Sequence, residues 1–165
     1  MSKLLKAAID NLAIANIALR TSSTEFTDGY NHLNIRDLPK KTQSFRSIIK
    51  IEAIEMVSPG QEEQTKIFYC FHYRVGSRVV TAKNDEEPEH DVVLTIEACF
   101  EALYQAKKEL SKDELEAFAA RNVGYNVWPY WREYLQSTCS RMSIIPIKVP
   151  FYQFKEESDL PGKDE

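Results

Sequence analysis

Alternating apolar and polar side chains run through the middle of the chain and predict three β-strands. These strands cover Phe45–Val57, Lys66–Val80 and Asp91–Ala102. In the second strand, every other residue from Ile67 to Val75 is apolar or aromatic. Because successive side chains of a strand point to opposite faces, we expect one buried face and one wetter face. The short loops between the strands favour an antiparallel meander.

The first third of the chain predicts a helix, a strand and an irregular connection. Apolar residues recur at helical spacing from Leu4 to Ala13, and strand-like alternation follows from Ile17 to Phe26. The pair Asp28-Gly29 then indicates a turn. Residues 30–44 predict the irregular connection that leads to the meander.

The last third of the chain predicts two helices. Ser111, followed three residues later by Glu114, has the pattern of a capping box, and the helix that it opens is expected to reach Arg121. The stretch Asn122–Asn126, which contains a glycine, is predicted to break the helix. A second helix is predicted from Val127 to Met142, with a proline in its first turn.

Together these elements predict an α+β fold, in which a four-stranded antiparallel meander sheet has helices packed on one face. Residues 1–154 are expected to form a single domain, with residues 1–14 as an extra N-terminal helix. The charged segment 155–165 is expected to be a disordered tail. The open edges of such a sheet invite pairing with a second copy of the chain.

Composition argues against several classes of protein. The 21 basic and 25 acidic residues give a net charge of -4, whereas a nucleic-acid binder would show a basic patch. No apolar run is long enough to span a bilayer. Three widely separated cysteines fit a reduced, cytoplasmic protein better than a disulfide framework. Only five glycines are present, and they form no phosphate-binding loop.

Catalytic and metal chemistry find little support in the sequence. His32, His72 and His90 are scattered and lack the spacing of metal ligands. Cys70 and Cys99 are predicted on the wetter sheet face, where a structural metal is a minor alternative to free thiols. A pair formed by either cysteine with His72 would lie in mid-strand, which lacks the electropositive setting that activates a nucleophile. No catalytic residue, metal or cofactor is therefore predicted.

Four carboxylates fall on the predicted strands. They are Glu52, Glu55, Glu97 and Glu101. The simplest interpretation is a solvated sheet face. The alternative is an acidic docking surface for a basic partner, because complementary charge steers association.

The predicted main helix is unusually aromatic, with four aromatic residues within residues 128–134. Trp128 and Trp131 share one helical face, whereas Tyr130 and Tyr134 lie on another. A helix that covers one sheet cannot bury both faces within a monomer. The surplus indicates a second apolar contact, either with another subunit or with an extended client chain. A purely structural role in the core is the alternative.

This stretch resembles the signature of the SecB family of export chaperones. In that family, Pro-Tyr-x-Arg-Glu at the start of a helix is followed by Ser-Arg and by an extended tail that contains proline. The matching residues here are Pro129, Tyr130, Arg132, Glu133, Ser140 and Arg141. The tail corresponds to Ile147–Pro150, and the order of elements agrees over residues 15–152.

The resemblance implies a dimer of dimers, in which the main helices are sandwiched between two sheets. It also implies an ATP-independent, cytoplasmic holdase that binds non-native polypeptides in long apolar grooves and can transfer them to the SecA motor. SecB-like proteins also serve as chaperones for antitoxins of toxin–antitoxin modules. The N-terminal helix and the charged linker at 107–109 favour these divergent members over the export proteins.

A client-binding groove is expected where the linker and the main helix meet the helix-facing side of the sheet. The residues predicted to line it are Ile49, Ile51, Phe118, Tyr125, Trp128 and Trp131. One alternative function is an oligomeric adaptor with a single dedicated protein partner. Another is a small-ligand enzyme on a curved sheet, for which His72 and Arg74 are the best polar candidates.

Overall fold

The computed structural model describes residues 1–61, 63–82 and 90–154, which form one antiparallel sheet and a set of helices. The strands are β1 (Leu12–Phe26), β2 (Lys40–Val57), β3 (Thr65–Thr81) and β4 (Val92–Ala106). The helices are α1 (Lys3–Asn11), α2 (Lys112–Phe118) and α3 (Gly124–Arg141), and a π-helical turn (Ala119–Val123) joins α2 to α3. The predicted α+β class and four-stranded antiparallel sheet are confirmed. The tail predicted at 155–165 lies outside the described residues.

The strands lie side by side in the order β1-β4-β3-β2. β2, β3 and β4 form the meander that the alternation predicts, and β1 adds to it beside β4. β1 and β2 are therefore the two edge strands. Both begin earlier than predicted, because β1 follows α1 with no loop and β2 starts within the connection predicted as irregular.

The chain passes from α2 into α3 without the break predicted at 122–126. Gly124 adopts helical dihedral angles, and the π-helical turn before it absorbs one extra residue in the helical path. Pro129, which was predicted in a first turn, lies inside α3 instead. Because proline has no N–H, it cannot donate to the carbonyl oxygen of Tyr125, four residues earlier.

The hydrophobic core lies between the helices and one face of the sheet. Alternate residues of β3 and β4 form the sheet side of the core. The inner face of α3 forms the helical side through Val127, Trp131 and Leu135, which are at most 1% exposed. Phe118 packs against Tyr104 edge-to-face, with ring centroids 5.0 Å apart. Burial raises the pKa of Tyr104 to about 12.

α1 is fastened to the linker between β4 and α2. Ser2 caps its N-terminus by accepting a hydrogen bond from the Leu5 N–H. At its other end, the Lys107 ammonium donates to the carbonyl oxygen of Asp10 at 2.8 Å, and the Lys107 N–H donates to that of Asn11 at 3.0 Å. A cation at a helix C-terminus is favourable because it meets the negative end of the helix dipole. The charged linker thus positions the helix that the sequence identified as an addition.

Candidate client-binding groove

An apolar groove of about 780 Å³ lies between edge strand β2 and helix α2. β2 and β3 contribute Ile48, Ile49, Ile51, Ala53 and Tyr69 to its lining, and the helical side contributes Leu110, Leu115, Ala119 and Ala120. Lys50, Glu109, Lys112 and Glu116 add charged groups to the lining. The groove therefore has an apolar interior with both signs of charge around it.

A β-bulge positions the strand side of this groove. The pairing of β2 with β3 shifts between Ile48 and Lys50, so that Ile49 has no partner across the ladder. Ile49 is 58% exposed, whereas Ile51 packs partly against the core. β2 is also an edge strand, so one row of its backbone N–H and C=O groups has no neighbouring strand among the described residues.

A capping box positions the helical side of the groove. The Ser111 hydroxyl accepts from the Glu114 N–H, and the Glu114 carboxylate accepts from the Ser111 N–H at 2.7 Å. These hydrogen bonds hold the pKa of Glu114 below its ordinary value. One residue earlier, the Leu110 N–H donates to the Tyr69 hydroxyl at 3.0 Å, which ties the start of the helix to the sheet.

Beyond α3, residues 144–154 carry no regular secondary structure and run back over the helix. Tyr152 packs edge-to-face on Trp128 with ring centroids 5.5 Å apart, and the Arg46 guanidinium lies 4.5 Å from the centre of the Tyr152 ring. Tyr125 contacts both Tyr152 and Phe154. The aromatic end of the predicted groove is thus covered by the chain's own C-terminal segment.

The six residues predicted to line a client groove divide into three environments. Ile49 and Ile51 line the groove beside α2. Tyr125 and Trp128 belong to the aromatic contact with Tyr152; Tyr125 is 57% exposed and Trp128 is 8% exposed. Phe118 and Trp131 are 3% and 1% exposed, and we therefore assign them to the monomer's core rather than to a groove wall. The sequence pattern grouped Phe118 and Trp131 with the groove residues because core aromatics and groove aromatics have the same helical spacing.

The residues of the resemblance motif lie mostly on the outer side of α3. Pro129, Tyr130, Arg132, Glu133, Ser140 and Arg141 are all exposed. Arg132 contacts the ring of Phe151, and Arg141 donates to the Ser137 hydroxyl. Tyr134, predicted to share the second face with Tyr130, instead stacks on Trp131 and belongs largely with the core.

Three of the four predicted docking carboxylates lie on the sheet face opposite the helices, and each is paired with a cation. The pairs are Glu52 with Lys50 and His72, Glu97 with Arg74, and Glu101 with Arg20. Glu55 lies opposite Ile67, a residue that packs against the core, and so faces the other side. This face is a network of mixed charge, which favours the solvated-face interpretation over an acidic docking surface.

Glu52, Cys70 and His72 are close enough to hold a metal ion, with ligand atoms within 4.8 Å of one another. Cys99, which the sequence placed near Cys70, is not part of this group. Glu52 and His72 already bond each other, and Lys50 bonds the same carboxylate. Burial raises the pKa of the Cys70 thiol, which disfavours the thiolate that a metal requires. We therefore assign the group to the ion-pair network.

Of three comparisons with known proteins, the one with solved structures identifies the fold. No family model matches the chain, and no curated protein matches it at a significant level. None of the described helices is long and apolar enough to cross a membrane. A solved structure of the Mycobacterium tuberculosis SecB-like chaperone Rv1957, in complex with a ChAD peptide from the HigA1 antitoxin, superposes with a TM-score of 0.60. The match covers 94% of this chain and 100% of that chain at 16% sequence identity. The chain described here therefore has the fold of the SecB-like chaperones.

Proposed function

We propose that this protein is an ATP-independent holdase that binds extended, non-native polypeptide in the groove between β2 and α2. The observation that carries the proposal is the open apolar groove beside an edge strand. An extended client can add its backbone to the free edge of β2 and place alternate side chains in the groove. The branched side chains of Ile48, Ile49 and Ile51 would then be covered by the client.

Holding requires no chemical step, because burial of apolar side chains supplies the favourable part of the binding free energy. The charged groups around the groove, such as Lys112 and Glu116, keep its rim soluble while the interior stays apolar. Both signs of charge occur there, so the groove discriminates little between acidic and basic segments. These properties suit a protein that binds segments for their exposed apolar side chains.

Replacement of Ile49 by aspartate tests this function. Ile49→Asp places a charge in the groove at a side chain that is already 58% exposed, so we expect folding to be retained and client binding to be lost. The matched control is Leu33→Asp, because Leu33 is 62% exposed but lies in the connection between β1 and β2. Suppression of aggregation of several unrelated unfolded proteins is the measurement. Equal suppression by both variants would refute the groove as the holding site.

A dedicated client is the second candidate function, and the comparison favours it. The similar Mycobacterium tuberculosis chaperone was crystallised with a peptide from an antitoxin. A protein with one antitoxin client would hold that segment and leave unrelated unfolded proteins to aggregate. A chaperone that transfers exported proteins to SecA would instead hold many unrelated unfolded proteins. The same aggregation series, run with and without an antitoxin segment, separates the two.

A further inference from the structure

Residues 144–154 are bound as an extended peptide would be. The Trp128 indole N–H donates to the carbonyl oxygen of Pro150 at 2.9 Å, and Arg46 donates to that of Gln153 at 2.9 Å. Both donors are side chains of the folded domain, and both acceptors are backbone groups of the segment. Such contacts recognise an extended backbone with little regard to its sequence.

Between these two hydrogen bonds, the side chain of Tyr152 lies in a pocket of the domain. Trp128 meets the ring edge-to-face and the Arg46 guanidinium covers it. The buried hydroxyl of Tyr73 also lines this pocket, where it lies near Arg46 without a hydrogen bond of good geometry within the described part of the chain.

The Tyr152 pocket is continuous with the groove beside α2. A cavity of about 170 Å³ beside Tyr152 is lined by Arg46 and Tyr73, and it shares Ile48, Ala119 and Ala120 with the groove. The C-terminal segment therefore fills one end of the same channel whose other end is open.

Gly124 explains how the tyrosine fits. Glycine is a weaker helix former than alanine, so its presence in α3 calls for a reason. A Cβ at this position would lie 2.5 Å from the Tyr152 hydroxyl and 2.8 Å from the Tyr73 hydroxyl. The missing side chain is what leaves room for the phenol ring.

We propose that the chain's own C-terminal segment is an internal competitor of the client. In the free protein, Tyr152 of this segment occupies an aromatic subsite at one end of the groove, and a client must displace the segment to reach that end. This inference rests on the holdase function proposed above. It adds a competitor built into the chain.

Two variants of the full chain separate release of the segment from use of the subsite. Tyr152→Ala removes the internal ligand and leaves the subsite empty. Gly124→Ala also expels Tyr152, but its methyl group narrows the subsite for any other ring. Phe151→Ala is the control for Tyr152→Ala, because Phe151 is the adjacent aromatic residue and is 82% exposed. Circular dichroism checks that each variant is folded.

Tryptic cleavage after Lys148 reports release of the segment, and half-maximal suppression of client aggregation reports holding. We expect faster cleavage in both Tyr152→Ala and Gly124→Ala. Only Tyr152→Ala should lower the chaperone concentration needed for half-maximal suppression, by about tenfold. The reason is that the internal segment no longer occupies the groove in part of the molecules. Phe151→Ala should match the wild-type protein in both measurements.

A second arm does not depend on any variant folding. A synthetic peptide of residues 146–154 is added to the wild-type protein, and it should compete with an unfolded client. The same peptide with Tyr152→Ala should not compete.

The outcomes distinguish this inference from the function on which it rests. If wild-type and Tyr152→Ala proteins hold clients equally, or if Gly124→Ala gains as much as Tyr152→Ala, the subsite is refuted and the holdase function stands. Unchanged cleavage after Lys148 in Tyr152→Ala, or equal competition by the two peptides, also refutes it. If no form of the chain holds any client, the proposed function fails and the inference fails with it.

Discussion

The Glu52 carboxylate lies 2.6 Å from Nε2 of His72 on the sheet face opposite the helices. Lys50 bonds the other oxygen of the same carboxylate. The hydrogen bond from Lys50, and to a smaller extent the one with His72, holds the pKa of Glu52 below its ordinary value of 4.5. A carboxyl group with a lowered pKa stabilises the folded state above its unfolded pKa. That contribution is lost as the pH falls through the folded pKa.

Glu52→Gln should therefore lower the melting temperature slightly at neutral pH and have no such effect in strong acid. The effect is expected to be small, because the pair is partly solvent-exposed and screened. Glu55→Gln is the control, since Glu55 lies on the same strand but faces the other side. Melting curves between pH 7 and pH 2 provide the measurement. A difference between wild-type and Glu52→Gln that stays constant over this range would contradict the prediction.

Much of the sheet could be predicted because burial imposes period-two alternation on β3 and β4. The helix-facing residues of β3, from Ile67 to Val75, are those that the pattern selected. The same alternation also argued against grouping Glu55 with Glu52, because residues three apart in a regular strand face opposite sides. The two were grouped nonetheless, and that prediction was wrong for Glu55. The helix break was wrong because a glycine can serve close packing as well as chain reversal, and Gly124 serves packing.

The aromatic half of the candidate site could be predicted only in part. Trp128 and Tyr125 stood out by their density in the helix, but their partner Tyr152 is 24 residues beyond Trp128 in a segment with prolines. No periodicity marks such a segment, because its contacts with the domain depend on tertiary structure. The three aromatic residues within 151–154 are the signal that could have identified it.

The three cysteines should be unreactive in the folded protein. Cys70, Cys99 and Cys139 are all buried, and burial raises the pKa of each thiol. Because the thiolate is the reactive species, both access and ionisation are reduced. We expect no thiol to react rapidly with Ellman's reagent at pH 8, and all three to react in denaturant. Immediate release of one equivalent of chromophore from the folded protein would contradict this prediction.

Trp131→Ala should destabilise the protein far more than a change at the neighbouring Tyr130. Trp131 is 1% exposed and stacks on Tyr134, so truncation leaves a large cavity and costs about 3–5 kcal/mol. Tyr130→Ala is the control, because Tyr130 is 48% exposed and such surface changes usually fall within about 0.5 kcal/mol. Denaturant unfolding at a fixed protein concentration measures both. Similar free energies of unfolding for the two variants would show that Trp131 is not a core residue.

The chain should form a dimer or tetramer at micromolar concentration. Ile14 and Leu19 lie on edge strand β1, opposite the core residues Tyr104 and Phe100, and so point to the helix-facing side. The helices of one chain leave them 51% and 47% exposed. A second copy can cover such an apolar strip and its free strand edge together.

Leu19→Lys should therefore reduce the mass measured by static light scattering, because it places an unpaired charge at the contact. Ser23→Lys provides the control on the same strand, since Ser23 lies opposite Glu97 and faces the ion-pair side of the sheet. A wild-type protein that is monomeric throughout the micromolar range would contradict self-association. A wild-type oligomer that both substitutions leave intact would instead place the contact elsewhere. In that case the exposed outer face of α3, where Tyr130 lies, is the next surface to test. It is the apolar surface of the main helix that could form the contact if β1 does not form it.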